Sequence, residues 1–449
     1  MLDQLFKLSE NETTVRTEVV AGLTTFLTLA YIVFVNPSIL AESGMDRGAV
    51  FVATCLAAAI GTAIMGLYAN YPIALAPSMG LNAYFTYGVV LGMGHTWQVA
   101  LGAVFVSGIL FLILSVLPVR EWIINSIPRS LKIAISAGIG LFLAIIALKN
   151  AGIVVDHPAT LVTMGDLAKP EPVLAVIGFF SIAVLTARGV PGSIIISILG
   201  VTVIGVALGI TDNQGVVSMP PSVAPTFAQM DIAGALEIGL ITIVFAFLFV
   251  DLFDTAGTLV GLAHRAGMLD ERGRLPRLKK ALVADSTATI AGAALGTSTT
   301  TSYIESAAGI NAGGRTGLTA ITVAALFLAC LFHSPLAGTI PAYATAPALL
   351  FVACLMVRGL AEIDWDDITD VAPAVIAAIA MPLTFSIASG IGFGFITYVA
   401  VKVLAGRHKE VGPGHLRTGC RLCPQVRLAL RAGPAGHGKL FRIVRGSYS

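Results

Sequence analysis

Charge is what this sequence lacks. Of 449 residues only 12% are Asp, Glu, Lys or Arg, where a soluble domain carries roughly a quarter. A chain that is 56% hydrophobic, with mean hydropathy +0.89, cannot hide that much apolar surface in water. A soluble fold is thereby excluded. Cysteine is sparse too, at five residues. Cys55, Cys330 and Cys354 fall in apolar runs as packed thiols, and the single Cys420-x-x-Cys423 lacks the second pair that a zinc site needs. The N-terminus, with Asp3, Glu10 and Glu12 beside Lys7 and Arg16, has no basic-apolar-small cleavage signal, so the first apolar run stays as a span. A net charge of +2 gives no footing for nucleic acid. No metal-ligand cluster or nucleophile–base pair lies within the apolar runs, which sets aside a membrane-embedded enzyme.

What is present is a long series of apolar runs. A span needs roughly 17–25 such residues, fewer where a helix is broken. About fourteen segments follow, in two sets of seven. The first set covers 18–40, 49–69, 78–91, 97–118, 130–149, 173–187 and 191–210; the second covers 233–263, 281–295, 300–311, 317–334, 341–358, 371–387 and 390–405. The chain thus divides into a cytoplasmic N-terminus (1–17), a first repeat (18–210), a second (233–405) and a basic tail (406–449). Lys and Arg gather on one side, at Arg120, Arg129, Arg188, Arg315, Arg358 and the cluster Arg265, Arg272, Arg274, Arg277, Lys279 and Lys280. The positive-inside rule then places both termini in the cytoplasm. Trp97 and Trp122 stand at span ends as interfacial anchors, and Trp365 lies in a polar loop.

Segments three and ten fail as plain helices. Pro72, Pro77 and Gly80 break the third, and Gly296 to Ser302 of the tenth are all Gly, Ser or Thr. Irregular backbone at membrane depth has to be buried in protein or line a cavity. Both segments carry Gly-[Leu/Ile]-Asn-Ala, at Gly80–Ala83 and Gly309–Ala312. An odd number of spans per repeat inverts the second copy, and matched broken helices in inverted repeats point to a midplane transport site. The half-helix backbone at Gly80, Leu81, Thr301 and Ser302 is therefore expected at the site.

Intramembrane acids cost roughly 2.5–3.5 kcal/mol to insert and are functional candidates. Asp251 and Asp254 share a face of segment eight, and Glu305 follows the Ser/Thr run of segment ten. No lysine or arginine is expected deep in a span beside them, which suits groups that bind and release a proton. Asp254 is the one of the three best placed for structural support at a helix break. Asn82 offers a donor and an acceptor; Asn36, before Pro37, reads as a helix-break partner. Phe247, Phe249 and Phe253 of segment eight could stack on a planar ring, although such aromatics are more often packing. A site of carboxylates and amides with no fixed cation disfavours anions and suits a neutral solute rich in N–H donors.

Four stretches in order resemble one family: Ala21-Gly-Leu-Thr-Thr-Phe-Leu-Thr-Leu-Ala-Tyr-Ile through Asn36-Pro37, Ala76-Pro-Ser-Met-Gly-Leu-Asn-Ala-Tyr-Phe, Val250-Asp-Leu-Phe-Asp-Thr-Ala-Gly-Thr and Thr299-Thr-Thr-Ser-Tyr-Ile-Glu-Ser. The sequence is similar to the nucleobase–cation symporter 2 family, in its azaguanine-type adenine/guanine/hypoxanthine permease branch, from about residue 1 to 410. The resemblance implies an all-α polytopic fold of two inverted seven-segment repeats. Spans one to four and eight to eleven would form a core domain and the others a gate. It implies proton-coupled uptake of a purine base by a core sliding against the gate, in the cytoplasmic membrane, with no cofactor. It places the family's span-three asparagine on Asn82, its span-eight aspartates on Asp251 and Asp254, and its span-ten glutamate on Glu305. Phe249 joins Asn82, Asp251 and Glu305 as a substrate contact; Asp251, Asp254 and Glu305 are the proton-coupling or supporting acids. A homodimer is left open, as are xanthine or uracil as the base. An anion transporter or channel on the same repeats is the rival reading. Past residue 410 the chain departs from the family pattern, turning basic and rich in Gly, Pro and Arg, as a cytoplasmic tail or a shifted reading frame would.

Overall fold

A computed structural model of the chain describes residues 2–117, 128–237, 240–268, 270 and 275–407. Arg120, Trp122, Arg272, Arg274, Cys420, Cys423 and the tail from 408 onward lie outside the described residues. The apolar runs form helices, because backbone groups in lipid must be bonded within the segment. Among the described residues nine helices are long and apolar enough to cross a membrane, and two shorter apolar ones accompany them, Ser193–Ala207 and Ile368–Thr384. The fold is a mostly helical, multi-pass membrane protein.

The helices that position the site are α1 (Val15–Leu29), α2 (Ile32–Ala41, with Pro37 inside) and α3 (Arg47–Ile64). Next come strand β1 (Leu75–Pro77), the short α4 (Met79–Ala83) and α5 (Trp97–Val116). After these, α6 (Arg129–Asn150) is followed by a hairpin of β2 (Val154–His157) and β3 (Leu161–Met164). In the second half stand α7 (Ile241–Arg265), α8 (Leu278–Leu295), β4 (Thr300–Ser302), the short α9 (Ser306–Asn311) and α10 (Gly317–Cys330). Last come α11 (Ala342–Val357), α12 (Ile368–Thr384) and α13 (Ile387–Leu404). Segment eight is shorter than expected: Ile232–Ala235 is a separate turn capped by Asp231, and α7 starts at Ile241.

The two broken segments meet as strands. β1 and β4 pair antiparallel, Leu75 opposite Ser302, Ala76 opposite Thr301 and Pro77 opposite Thr300. Ser78 N–H to Thr299 O (2.7 Å) and Tyr303 N–H to Ala74 O (2.9 Å) extend the ladder. This is how irregular backbone is satisfied in the apolar interior. It also corrects one expectation, because Thr301 and Ser302 are strand residues and their backbone does not begin a half-helix. The β-branched run Thr299–Thr301 favours extended backbone, so α9 starts only at Ser306.

One threonine grips each strand at its first residue. Thr62 of α3 bonds both the N–H and the carbonyl of Leu75, at 2.9 Å each. Thr289 of α8 does the same to Thr300, at 3.3 and 2.8 Å. The two repeated tetrapeptides, by contrast, are not equivalent in space. Asn82 lies five residues past β1 and is fully buried, while Asn311 lies nine past β4 and is exposed. Their glycines allow close packing on different partners, Gly80 on Ile139 of α6 and Gly309 on Ala21 of α1.

Two further helix contacts depend on small residues, as membrane packing commonly does. Gly61 of α3 faces Ala288 of α8, where a Cβ would approach to 2.6 Å, and Gly66 abuts the backbone of Gly317. Glu18, buried in the first turn of α1, accepts bonds from Arg315 N–H, Thr316 N–H, Thr319 N–H and the Thr319 hydroxyl. It thereby satisfies Thr319 N–H in the first turn of α10 and the two N–H groups just ahead of that helix. One basic group, Lys402, is buried at a span end. At 1% exposure it is fully buried near the end of α13, 3.0 Å from Asp370 and 3.8 Å from Asp367 at the start of α12. Paired in this way, it is not a partner for Asp251.

Candidate functional site

Asn36, Asn82 and the strand pair form one buried polar junction. The hydroxyl of Thr54 donates to Val50 O at 2.7 Å, so its one hydrogen is used. It can only accept from Asn36, whose Nδ2 lies 2.8 Å away and also donates to Thr297 Oγ1 at 2.9 Å. That orients the Asn36 amide and leaves its Oδ1 to accept from Asn82 Nδ2, at 2.9 Å. Asn82 Oδ1 is then buried with no partner. The expected two-way amide is thus reduced to a single fixed acceptor, and Asn36, expected as a helix-break partner, is what fixes it.

The acids line the other side of β4. Asp251 is 1% exposed; its Oδ2 lies 3.2 Å from Thr289 Oγ1, and its Oδ1 is buried without a partner. Asp254, one turn on, is half-buried and has no hydrogen bond among the described residues. Glu305 is half-buried just before α9 and accepts from Tyr31 OH at 2.7 Å. A fourth acid, Asp285 of α8, is fully buried: Thr255 donates to its Oδ2 at 2.8 Å and Ser302 to its Oδ1 at 2.9 Å. Thr255 in turn contacts Thr301 at 2.7 Å, so α7, α8 and β4 share one hydroxyl–carboxylate network. Buried and unpartnered hydroxyls of Tyr84, Thr86, Thr299 and Thr300 lie in the same segments. Chemically the junction offers fixed acceptors, at Asn82 and Asp251, among hydroxyls that can turn to donate or accept.

The phenylalanines of α7 do not all present a free face. Phe249 stacks between Phe245 (6.0 Å) and Phe253 (6.1 Å) as a ladder along the helix, and Phe247 packs on Tyr84 at 5.1 Å. Lys132 of α6 sits 5.9 Å over the Phe253 ring, a cation reaching α7 from a neighbouring helix.

A family model described as "Permease family" matches residues 16–393. The chain belongs to this family, the nucleobase–cation symporter 2 permeases. The permease is 50% identical to the adenine permease AdeP of Escherichia coli, over 92% of this chain and 93% of that one. It is 46% identical to the guanine/hypoxanthine permease PbuG of Bacillus subtilis, over 91% and 95%. Its fold is shared with the transmembrane domain of a cyanobacterial bicarbonate transporter, BicA. The TM-score there is 0.62, with 16% identity, over 84% of this chain and 96% of that one. The permease is a transporter and not an enzyme.

Of the residues singled out in the sequence, Gly80, Leu81 and Asn82 stand in α4 directly after β1, Glu305 follows β4, and Asp251 of α7 reaches β4 through Thr289, with Asp254 one turn on. The permease residues missed by sequence reasoning are Asp285 and the threonines around it. Asp285 was visible in Val283-Ala-Asp-Ser, an acid within an apolar run. Thr62 and Thr289 carry no such signal, since threonine in a membrane helix is common.

Proposed function

We propose that the permease takes up a purine nucleobase (hypoxanthine, guanine or adenine) together with a proton across the cytoplasmic membrane, both termini facing the cytoplasm. The observation that carries this reading is the pair of buried acceptors, Asn82 Oδ1 and Asp251 Oδ1, held without a protein partner. A buried acceptor left unpaired costs about 1–3 kcal/mol, which a ligand with N–H donors recovers. Purine bases are neutral and carry such donors along one edge. The names of AdeP and PbuG point the same way. An anion would meet these acceptors with repulsion, so the likeness to BicA is one of fold.

The mechanism follows from the division into fourteen segments, with β1–α4 and β4–α9 as the broken third and tenth. Spans one to four and eight to eleven form a core that carries Asn82, the acids and the strand pair. The remaining spans form a gate, meeting the core where Ile139 faces Gly80 and Lys132 faces Phe253. The core slides against the gate and exposes the junction to each side in turn, and substrate and proton travel together because they favour the same state.

The test is radiolabelled hypoxanthine uptake into proteoliposomes, with and without an inward pH gradient and with unlabelled bases as competitors. Competition by purines and acceleration by the gradient are expected. If folded protein shows no competition by any purine, the substrate assignment fails.

A further inference from the structure

Thr62 and Thr289 grip their strands alike, but only Thr289 also touches an acid. A hydroxyl has one hydrogen and two lone pairs. Thr62 spends its hydrogen on Leu75 O and accepts Leu75 N–H, both at 2.9 Å. Thr289 has Thr300 O at 2.8 Å and Thr300 N–H at 3.3 Å. Asp251 Oδ2 then lies 3.2 Å from the same hydroxyl oxygen. With the hydrogen on the nearer carbonyl and one lone pair taken, Thr289 has only a lone pair left for Asp251. An ionised carboxylate also brings only lone pairs to that contact. A protonated one brings the missing hydrogen, and every valence of Thr289 is then used.

We propose that Thr289 is a positioning residue that transmits the protonation of Asp251 to strand β4. With the acid protonated, Oδ2–H donates to Thr289, and Thr289 holds the Thr300 carbonyl. When Asp251 gives its proton to water, the carboxylate draws the threonine hydrogen to itself and the Thr300 carbonyl is released. β4 leads within three residues to Glu305 and then into α9, so the release is passed along the chain to Glu305. The ionisable groups around Asp251 are Asp285 of α8 and Asp254 of its own helix, with Glu305 beside Asp254; Lys132 of α6 is held over Phe253. Among the described residues none of these bonds to Thr289. The inference rests on the reading of the chain as a proton-coupled purine permease.

Thr62, the same grip without an acid, is the control. Thr289→Val, Thr289→Ser and Thr62→Val are compared with the unaltered protein in proteoliposomes, for hypoxanthine accumulation under an inward gradient of one pH unit and for gradient-free counterflow. One proton per solute allows about tenfold accumulation in the unaltered protein. T289V should fall to about onefold while retaining counterflow, and T289S should restore the response. T62V should slow transport and leave the accumulation ratio in place. Infrared difference spectra add a readout that a structural role would not move: a protonated-carboxyl band that disappears in D251N and shifts in T289V but not in T62V. T289V accumulating like the unaltered protein, or T62V losing the gradient response equally, overturns the proposal. An unaltered protein that exchanges hypoxanthine but ignores the gradient overturns proton coupling instead, and an unshifted band in T289V then overturns the Thr289 link by itself. If T289V fails to fold, absence of the band in the unaltered protein decides against a proton on Asp251.

Discussion

Asn82 donates Nδ2 to Asn36 Oδ1 across 2.9 Å, tying the helix after the first strand to the helix two spans earlier. Asn36→Ala removes the anchor without touching a ligand. Asn82 is then free to turn its amide, and the acceptor it presents is lost for part of the time. Hypoxanthine binding should weaken by about 1–3 kcal/mol, roughly 5- to 150-fold in Kd, in both N36A and Asn82→Ala. Equal losses in the double variant and in N82A alone, by calorimetry or competition binding, would check that the two act as one unit.

Gly80 and Ile139 set the clearance between α4 and α6. A methyl group at position 80 collides with the Ile139 side chain, so Gly80→Ala should abolish uptake at normal expression. Ile139→Ala vacates the space, and the double variant should recover transport. Non-additivity of this kind is what contacting residues produce. Initial uptake rates of the two single variants and the double decide the matter.

Glu18 acts at a distance from the site. Replacing it with Gln exchanges a carboxylate that takes four bonds at the start of α10 for an amide with one acceptor. A loss of about 1–3 kcal/mol is expected for the groups left unpaired, read as a lower Tm in detergent with the hypoxanthine Kd unchanged.

Asp367, ahead of α12, is held well below the usual carboxylate range, first by the Thr369 hydroxyl and then by Arg407. A carboxyl depressed on folding contributes stability above its unfolded value of about 3.9. That stability is lost as pH falls through the folded value. Thermal stability should therefore drop as the pH is lowered below about 4, and Asp367→Asn should flatten this part of the curve. Melting curves of the two proteins from neutral to acid pH give the difference directly.

Much of the candidate site could be proposed from residue types alone, because a carboxylate in a run such as Phe-Leu-Phe-Val-Asp-Leu-Phe-Asp is costly and therefore conspicuous. Asp251, Asp254 and Glu305 stand out for that reason. Asp285 escaped because its helix opens with Lys279 and Lys280, which made an acid six residues on look like part of a polar end. The broken segments were legible from proline, glycine and threonine, but their pairing as strands was not, since it joins residues 227 apart. The repeated Gly-[Leu/Ile]-Asn-Ala marked the right segments and misled on detail. Asn82 and Asn311 sit one helical turn out of register, and only one of them is buried.

The strand pair has a consequence for how the protein is made. Leu75 cannot meet Ser302 until the second half has been synthesised, roughly 10–45 s later at about 5–20 residues per second. Through that interval the first strand has an open edge at membrane depth, where unpaired backbone is costly and invites wrong partners. The amino-terminal half is therefore an obligate client of whatever shelters it in the membrane. Expressed as two separate pieces, the halves should accumulate together and each be degraded alone, which immunoblotting of membranes would check.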